Sequence, residues 1–138
     1  VIQILAAAGV KRIATVVNDL LSSGRYDQAF QKLQELLKMQ QEPVAILGAV
    51  GGHFRRLSAA RTLLDNGKTA YDLQKLCGIP DYPARKTMEA ARRVSPHFCR
   101  EAANLVLETD YRMKTSFDES ERLLEMLILQ LAQEARNA

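Results

Sequence analysis

The chain has no tryptophan, only two cysteines and no apolar stretch long enough to cross a membrane. Cys77 and Cys99 lie far apart, and the chain contains no CxxC pair that could bind zinc or carry out thiol redox chemistry. A membrane-spanning helix needs about 20 apolar residues, and residues 1–10 lack the basic start and the cleavage pattern of a secretory signal. We therefore expect a cytoplasmic protein with no membrane contact, no metal and no cofactor.

Length and composition are typical of one globular domain. The chain has 138 residues, of which 47% are hydrophobic and 25% are charged. The net charge of +3 is a mild basic bias that permits nucleic-acid binding without requiring it. Because the chain begins with Val1 in a helix-like stretch, we expect upstream sequence to be missing. Residues 1–12 are then the remnant of a preceding domain or linker, and residues 13–138 are the domain itself.

The hydrophobic pattern predicts an all-α fold, a single bundle of about six or seven helices. Strand signals are scarce, whereas apolar residues recur at helical spacing in segments that are separated by Gly, Pro and Ser residues typical of helix ends. The predicted helices cover about residues 11–21, 26–41, 43–65, 70–76, 82–93 and 96–114, followed by a last helix that Asp118 or Ser120 caps. In the sixth helix, the inward residues are expected to be Phe98, Ala102, Leu105 and Tyr111.

Two features of these helices predict close contacts. Gly48 and Gly52 lie one turn apart in the third helix, where each costs about 1 kcal/mol relative to alanine. They therefore predict that another backbone approaches closely, with a kink as the alternative. The last helix is apolar most of the way round, so it is either central in the bundle or covered by another chain. We take Met126, Leu129 and Arg122 as the candidate subunit-interface residues.

No catalytic constellation is apparent. Gly67-Lys68-Thr69 matches the end of a P-loop, but the required earlier glycine is replaced by Thr62 and a helix stands where the motif needs a strand. His53 and His97 have no recognisable nucleophile or carboxylate pair around them, so both are expected to be structural or surface residues. Glu108 and Asp110 point to different helix faces, which favours ion pairing over acid–base catalysis. We predict that the chain is not an enzyme.

An alternative function comes from residues 69–94. A short helix, a turn containing Gly78 and a second helix follow one another as in a helix-turn-helix module, whose second helix enters the major groove of DNA. The basic residues of that second helix would contact phosphates or base edges; they are Arg85, Lys86, Arg92 and Arg93. The same three-helix arrangement is also common as plain scaffold, so both interpretations remain open.

Three stretches, in order, resemble the C-terminal part of the delta subunit of the bacterial DNA polymerase III clamp loader. They are residues 42–47 (EPVAIL) with 53–57 (HFRRL), residues 76–80 (LCGIP) with Arg85-Lys86 and 90–92 (AAR), and residues 107–115 (LETDYRMKT) before the leucine-rich last helix. In the family these mark a Glu-Pro helix start, a Leu-x-Gly-Ile turn and a Glu-Thr-Asp…Lys-Thr signature. Together they cover roughly residues 13–132.

The resemblance implies a helical collar domain without a working ATP site. It also implies that this domain holds the subunit in the five-membered clamp-loader complex, beside tau or gamma and delta-prime. The sliding clamp would be engaged by amino-terminal domains outside this sequence, and DNA would be reached through the complex. The DNA polymerase activity associated with the family would be carried by other subunits.

Overall fold

The structure is a computed structural model that describes residues 16–137. Helix α1 occupies residues 16–22 of this range, and six further helices follow: α2 Tyr26–Lys38, α3 Pro43–Asp65, α4 Ala70–Cys77, α5 Asp81–Ala91, α6 Pro96–Thr115 and α7 Ser120–Asn137. Residues 16–137 contain no strand. The predicted all-α bundle is therefore confirmed. The first part of the first predicted helix and the predicted remnant at residues 1–12 lie outside the described residues.

Local sequence signals set the helix boundaries. Pro43 and Pro96 stand in the first turns of α3 and α6, where the missing N–H of proline leaves no hydrogen bond unmade. Ser95 caps α6, because its Oγ accepts a hydrogen bond of 3.0 Å from the backbone N–H of Phe98. Helix α4 ends at Cys77 and is capped by Gly78, whose φ of 65° is a left-handed conformation that glycine adopts without steric cost.

Helix α3 is central to the bundle. It packs against α4, α5, α6 and α7, while α2 packs against α7 and α4 packs against α5. The largest fully buried side chains come from five helices, α1 to α4 and α7: Val17, Leu33, Leu36, Ile46, Val50, Leu73, Leu124, Leu127 and Leu131. Arg61 of α3 also donates a hydrogen bond of 2.9 Å to the carbonyl oxygen of Ala91. This contact fixes the end of α5 against α3.

The prediction of close backbone approach at Gly48 and Gly52 is wrong. A Cβ added to Gly48 would meet nothing within 4 Å, and one added to Gly52 would meet the guanidinium of Arg56 at 3.3 Å rather than a neighbouring backbone. The tight position is Gly51, where a Cβ would lie 3.1 Å from Cγ1 of Val106 in α6. Gly51 faces α6, whereas Gly48, one turn earlier in α3, is exposed and faces no neighbouring helix.

Tyr111 was expected to point inward, and this prediction is also wrong, since its exposed fraction is 67%. The buried residues of α6 are Phe98, Cys99, Ala102 and Thr109. Each residue rotates a helix by about 100°, so Tyr111 is about 200° away from buried Thr109. The ring of Phe98 packs edge-on against Phe54 of α3, with ring centres 6.3 Å apart. The inward stripe of α6 thus follows Phe98, and Tyr111 falls outside it.

Candidate interaction surfaces

The predicted basic residues of α5 are mostly neutralised by carboxylates. Three of them form ion pairs: Arg85 with Asp81 at 2.9 Å, Lys86 with Asp19 at 3.4 Å and Arg93 with Glu89 at 3.6 Å. Among the described residues, Arg92 forms no ion pair. All these side chains are exposed, so each pair contributes at most about 1 kcal/mol. Helix α5 ends at Ala91, two residues before the predicted end, and the DNA contacts of its basic residues stay a prediction.

The same basic residues divide into two sets around a cavity of about 540 Å³. This cavity lies between α1, α3 and α5, and we call it the α1–α3–α5 cavity. Lys86 and Arg93 line it, whereas Arg85 and Arg92 do not. Arg56 of α3 also lines it, and forms no ion pair within residues 16–137. The cavity therefore gathers three cations, from α3, from α5 and from the connection that follows α5.

His53 forms the buried floor of this cavity. Its Nε2 lies 3.0 Å from Oγ of Ser22, a hydrogen bond between residues 31 positions apart. The pKa of His53 is lowered from 6.5 to about 4, mainly because burial disfavours the charged ring. The nearby charge of Arg56 also contributes to this lowering, and Asp19 acts in the opposite direction. The imidazole is therefore neutral at pH 7. The expectation that His53 is structural agrees with this burial, whereas its place in a polar cavity was not foreseen.

The predicted subunit-interface residues lie on α7. Leu129 is 57% exposed, Arg122 is exposed and Met126 is partly buried. Leu129 borders a groove of about 440 Å³ between α2 and α7, where it lies near Phe30. The other large apolar residues of α7 are buried, namely Leu123, Leu124, Leu127, Ile128 and Leu131. Most of the apolar circumference of α7 therefore belongs to the core of this domain, and Leu129 is its main exposed apolar residue.

A second exposed apolar surface was missed from the sequence. Leu107 and Tyr111 lie one turn apart on α6 and are 66% and 67% exposed, and Phe117 in the α6–α7 connection is fully exposed. A helical projection anchored on Phe98 and Ala102 would have placed Leu107 and Tyr111 on the outer face. We call these three residues the α6 apolar surface. Its exposed large apolar side chains make it a second candidate for protein contact.

The described residues offer little for catalysis. Residues 16–137 contain no group of three or more His, Cys, Asp or Glu side chains placed to hold a metal ion. Burial raises the pKa of the Cys99 thiol, which makes the reactive thiolate form less available. Asp110 forms an ion pair of 2.9 Å with Lys114, as its structural interpretation predicted. In the same part of the chain, no helix is both long and apolar enough to cross a membrane.

Comparison with known proteins gives a consistent result. The model of the family described as "DNA polymerase III delta subunit, C-terminal domain" matches residues 13–131. DNA polymerase III subunit delta of Bacillus subtilis (strain 168) is 24% identical over 131 residues, which cover 94% of this chain and 38% of that protein. The chain thus spans less than two fifths of the length of this relative.

A solved structure supports the fold. The Bacillus subtilis DNA clamp loader delta protein (YqeN) matches with a TM-score of 0.80 and 21% sequence identity, over 90% of this chain and 37% of that one. At this identity the likeness concerns the fold alone. The family match over most of the sequence goes further, and it agrees with the resemblance carried by the three sequence stretches. The chain belongs to the family of C-terminal domains of the DNA polymerase III delta subunit.

Proposed function

We propose that this domain joins a clamp-loader delta subunit to the other subunits of its complex, with tau or gamma and delta-prime as the direct partners. In this role the domain positions the subunit and catalyses no reaction itself. The polymerase activity of the parent complex would belong to other subunits in the cytoplasm, and the sliding clamp and DNA would be reached through other parts of the assembly.

The observation that carries this proposal is the family match over residues 13–131, combined with exposed apolar side chains on a well-packed bundle. The core is complete without Leu129, Leu107, Tyr111 and Phe117, since each of these residues is more than half exposed. Exposed apolar residues cost solubility unless a partner covers them, and protein interfaces place such residues at their centres.

Between the two surfaces, we place a subunit contact at Leu129, with Arg122 and Met126 beside it. Position 129 lies seven residues after Arg122 and three after Met126, so the three side chains share one side of α7. Arg122 adds a guanidinium, which is a frequent residue at protein interfaces. The groove between α2 and α7, with Phe30 near Leu129, gives this surface a recess that a side chain of another subunit can fill.

The test is assembly with purified tau or gamma and delta-prime, followed by native mass spectrometry of the product. We expect the chain to enter a complex of defined mass. The variant Leu129→Ser, combined with Arg122→Glu, should weaken assembly at least roughly tenfold, because truncating a central interface residue typically has an effect of this size.

Leu76→Ser is the matched control, since Leu76 of α4 is 65% exposed and lies on a different helix. It removes a similar apolar side chain and should leave assembly unchanged. Failure of the unsubstituted chain to assemble with any of these subunits would overturn the proposed function. Loss of assembly in Leu107→Ser but not in Leu129→Ser would instead move the contact to the α6 apolar surface.

A further inference from the structure

The α1–α3–α5 cavity is lined by none of the residues proposed above for subunit contact. Its volume of about 540 Å³ lies within the range of small-molecule sites, roughly 300–1,000 Å³. Three cations line it, Arg56, Lys86 and Arg93, against two carboxylates, Asp19 and Glu89. The cavity therefore carries one net positive charge and sits beside a neutral buried imidazole.

The two carboxylates do not use up the hydrogen-bonding capacity of the cations. Asp19 contacts one Nζ at 3.4 Å, and Glu89 contacts one guanidinium nitrogen at 3.6 Å. An ammonium has three N–H donors and a guanidinium has five. Lys86 and Arg93 therefore keep free donors, and Arg56 forms no ion pair in the described part of the chain.

Neutral polar groups complete the lining. The hydroxyls of Ser22, Ser23 and Thr87 border the cavity, and hydroxyls donate well to phosphate oxygens. Asn18 uses its Nδ2 to donate to the carbonyl oxygen of Ala49 at 3.3 Å. Its Oδ1 is buried and accepts no hydrogen bond within residues 16–137. The amide of Asn18 thus serves to hold α1 against α3 at the edge of the cavity.

We propose that the α1–α3–α5 cavity binds a phosphate-bearing small molecule of mononucleotide size. Arg56, Lys86 and Arg93 hold the phosphate. The two guanidinium groups offer a rigid fork of N–H donors that matches phosphate oxygens, and Lys86 adds a further positive charge. The remaining volume accommodates the rest of the ligand. The ring of Tyr82, at the rim, offers a flat apolar surface for it.

Histidine NMR on the 138-residue chain tests this directly, because the sequence contains only two histidines. His53 lies in the cavity, whereas His97 is exposed in the first turn of α6 and reports bulk effects. Inorganic phosphate and adenosine monophosphate should each shift the His53 imidazole signals saturably and leave those of His97 in place. Adenosine monophosphate should bind more tightly than inorganic phosphate or adenosine, because it fills both parts of the cavity.

The chain offers a matched pair of variants, since each cavity-lining cation has a basic neighbour that does not line it. The cavity variant is Arg56→Gln with Lys86→Gln and Arg93→Gln. The control variant, with the same loss of charge, is Arg55→Gln with Arg85→Gln and Arg92→Gln. The cavity variant should weaken binding at least roughly tenfold, because charge-assisted contacts are removed. The control variant should stay within about twofold, because exposed charges outside the site are screened.

Circular dichroism and the dispersed His53 signals verify that both variants fold. The proposal is overturned if phosphate and adenosine monophosphate leave His53 unshifted, if both triple variants weaken binding equally, or if adenosine binds as well as its monophosphate. A 5′-phosphorylated single-stranded oligonucleotide distinguishes the source of the phosphate. Binding of the oligonucleotide alone, without the small molecules, would also overturn the proposal. All these measurements are made without other subunits, so their outcome is independent of the assembly test.

Discussion

Replacing Gly48 by alanine should stabilise the domain. Gly48 lies within α3, is exposed, and a Cβ there meets no atom within 4 Å. The substitution therefore removes the backbone entropy cost of an interior helix glycine without a steric penalty, a gain of about 0.5–1 kcal/mol. For a domain of this size, that gain corresponds to a rise in Tm of roughly 2–4 °C.

Gly51→Ala is the contrasting variant, three residues away in the same helix. Its Cβ would lie 3.1 Å from Cγ1 of Val106, closer than an ordinary carbon–carbon contact of about 3.5–4.0 Å. The Val106 side chain must move by a few tenths of an ångström, and overpacking of this kind costs about 1–3 kcal/mol. The entropic gain is therefore offset or exceeded, and we expect Gly51→Ala to be neutral or destabilising.

Urea unfolding monitored by circular dichroism measures both variants against the unsubstituted chain. The unfolded-state entropy change is the same for both, so the difference between them isolates the contact with Val106. A double variant, Gly51→Ala with Val106→Ala, removes the close contact and should recover part of the helix-propensity gain. Equal stabilisation by Gly48→Ala and Gly51→Ala would refute the packing argument, as would a loss of stability in Gly48→Ala.

Three further predictions concern pH, capping and DNA. Because the folded-state pKa of His53 is about 4 and its unfolded-state value is 6.5, the unfolded chain binds the proton more readily between these values. The contribution of neutral His53 to the free energy of unfolding is complete above pH 6.5 and is lost as the pH falls to 4, by about 3 kcal/mol in total. In urea unfolding measured at several pH values, His53→Gln should reduce the dependence of the free energy of unfolding on pH between 6.5 and 4. Ser95→Ala removes the cap that receives the Phe98 N–H and should lower the free energy of unfolding by about 1 kcal/mol. In gel-shift titrations at two salt concentrations, duplex DNA should bind weakly, and Arg85→Ala with Lys86→Ala should change the affinity little. Binding that depends steeply on salt and is lost in this variant would support the helix-turn-helix alternative.

The helices were predictable because their signals are local. Pro43, Gly78 and Ser95 each mark a helix end through their own backbone conformation or hydrogen bond. The helix ends can therefore be predicted from the identity of these residues alone. The prediction for Gly48 and Gly52 failed because a glycine in a helix indicates only that its position is unusual. The sequence does not show which neighbouring helix lies against that position. Gly51 contacts α6 only because α3 and α6 cross at that level, and this crossing depends on the packing of the whole bundle.

The α1–α3–α5 cavity could not be predicted for the same reason. Ser22 and His53 are 31 residues apart, and Lys86 and Asp19 are 67 apart, so their contacts exist only in the assembled fold. Each residue taken alone resembles an ordinary surface or core residue. What makes them a candidate site is that a neutral imidazole lines the same cavity as three cations, one of which, Arg56, forms no ion pair within residues 16–137.

The basic residues in and just after α5 show what helical spacing could and could not predict. Lys86 and Arg93 are seven positions apart, as are Arg85 and Arg92, and seven residues are close to two helical turns. On one continuous helix the four side chains would therefore lie within an arc of about 120°, which is compatible with a single basic surface. In the structure α5 ends at Ala91, so Arg92 and Arg93 lie in the connection that follows it. Lys86 and Arg93 line the α1–α3–α5 cavity, whereas Arg85 and Arg92 do not, and this division depends on how α1 and α3 pack against α5.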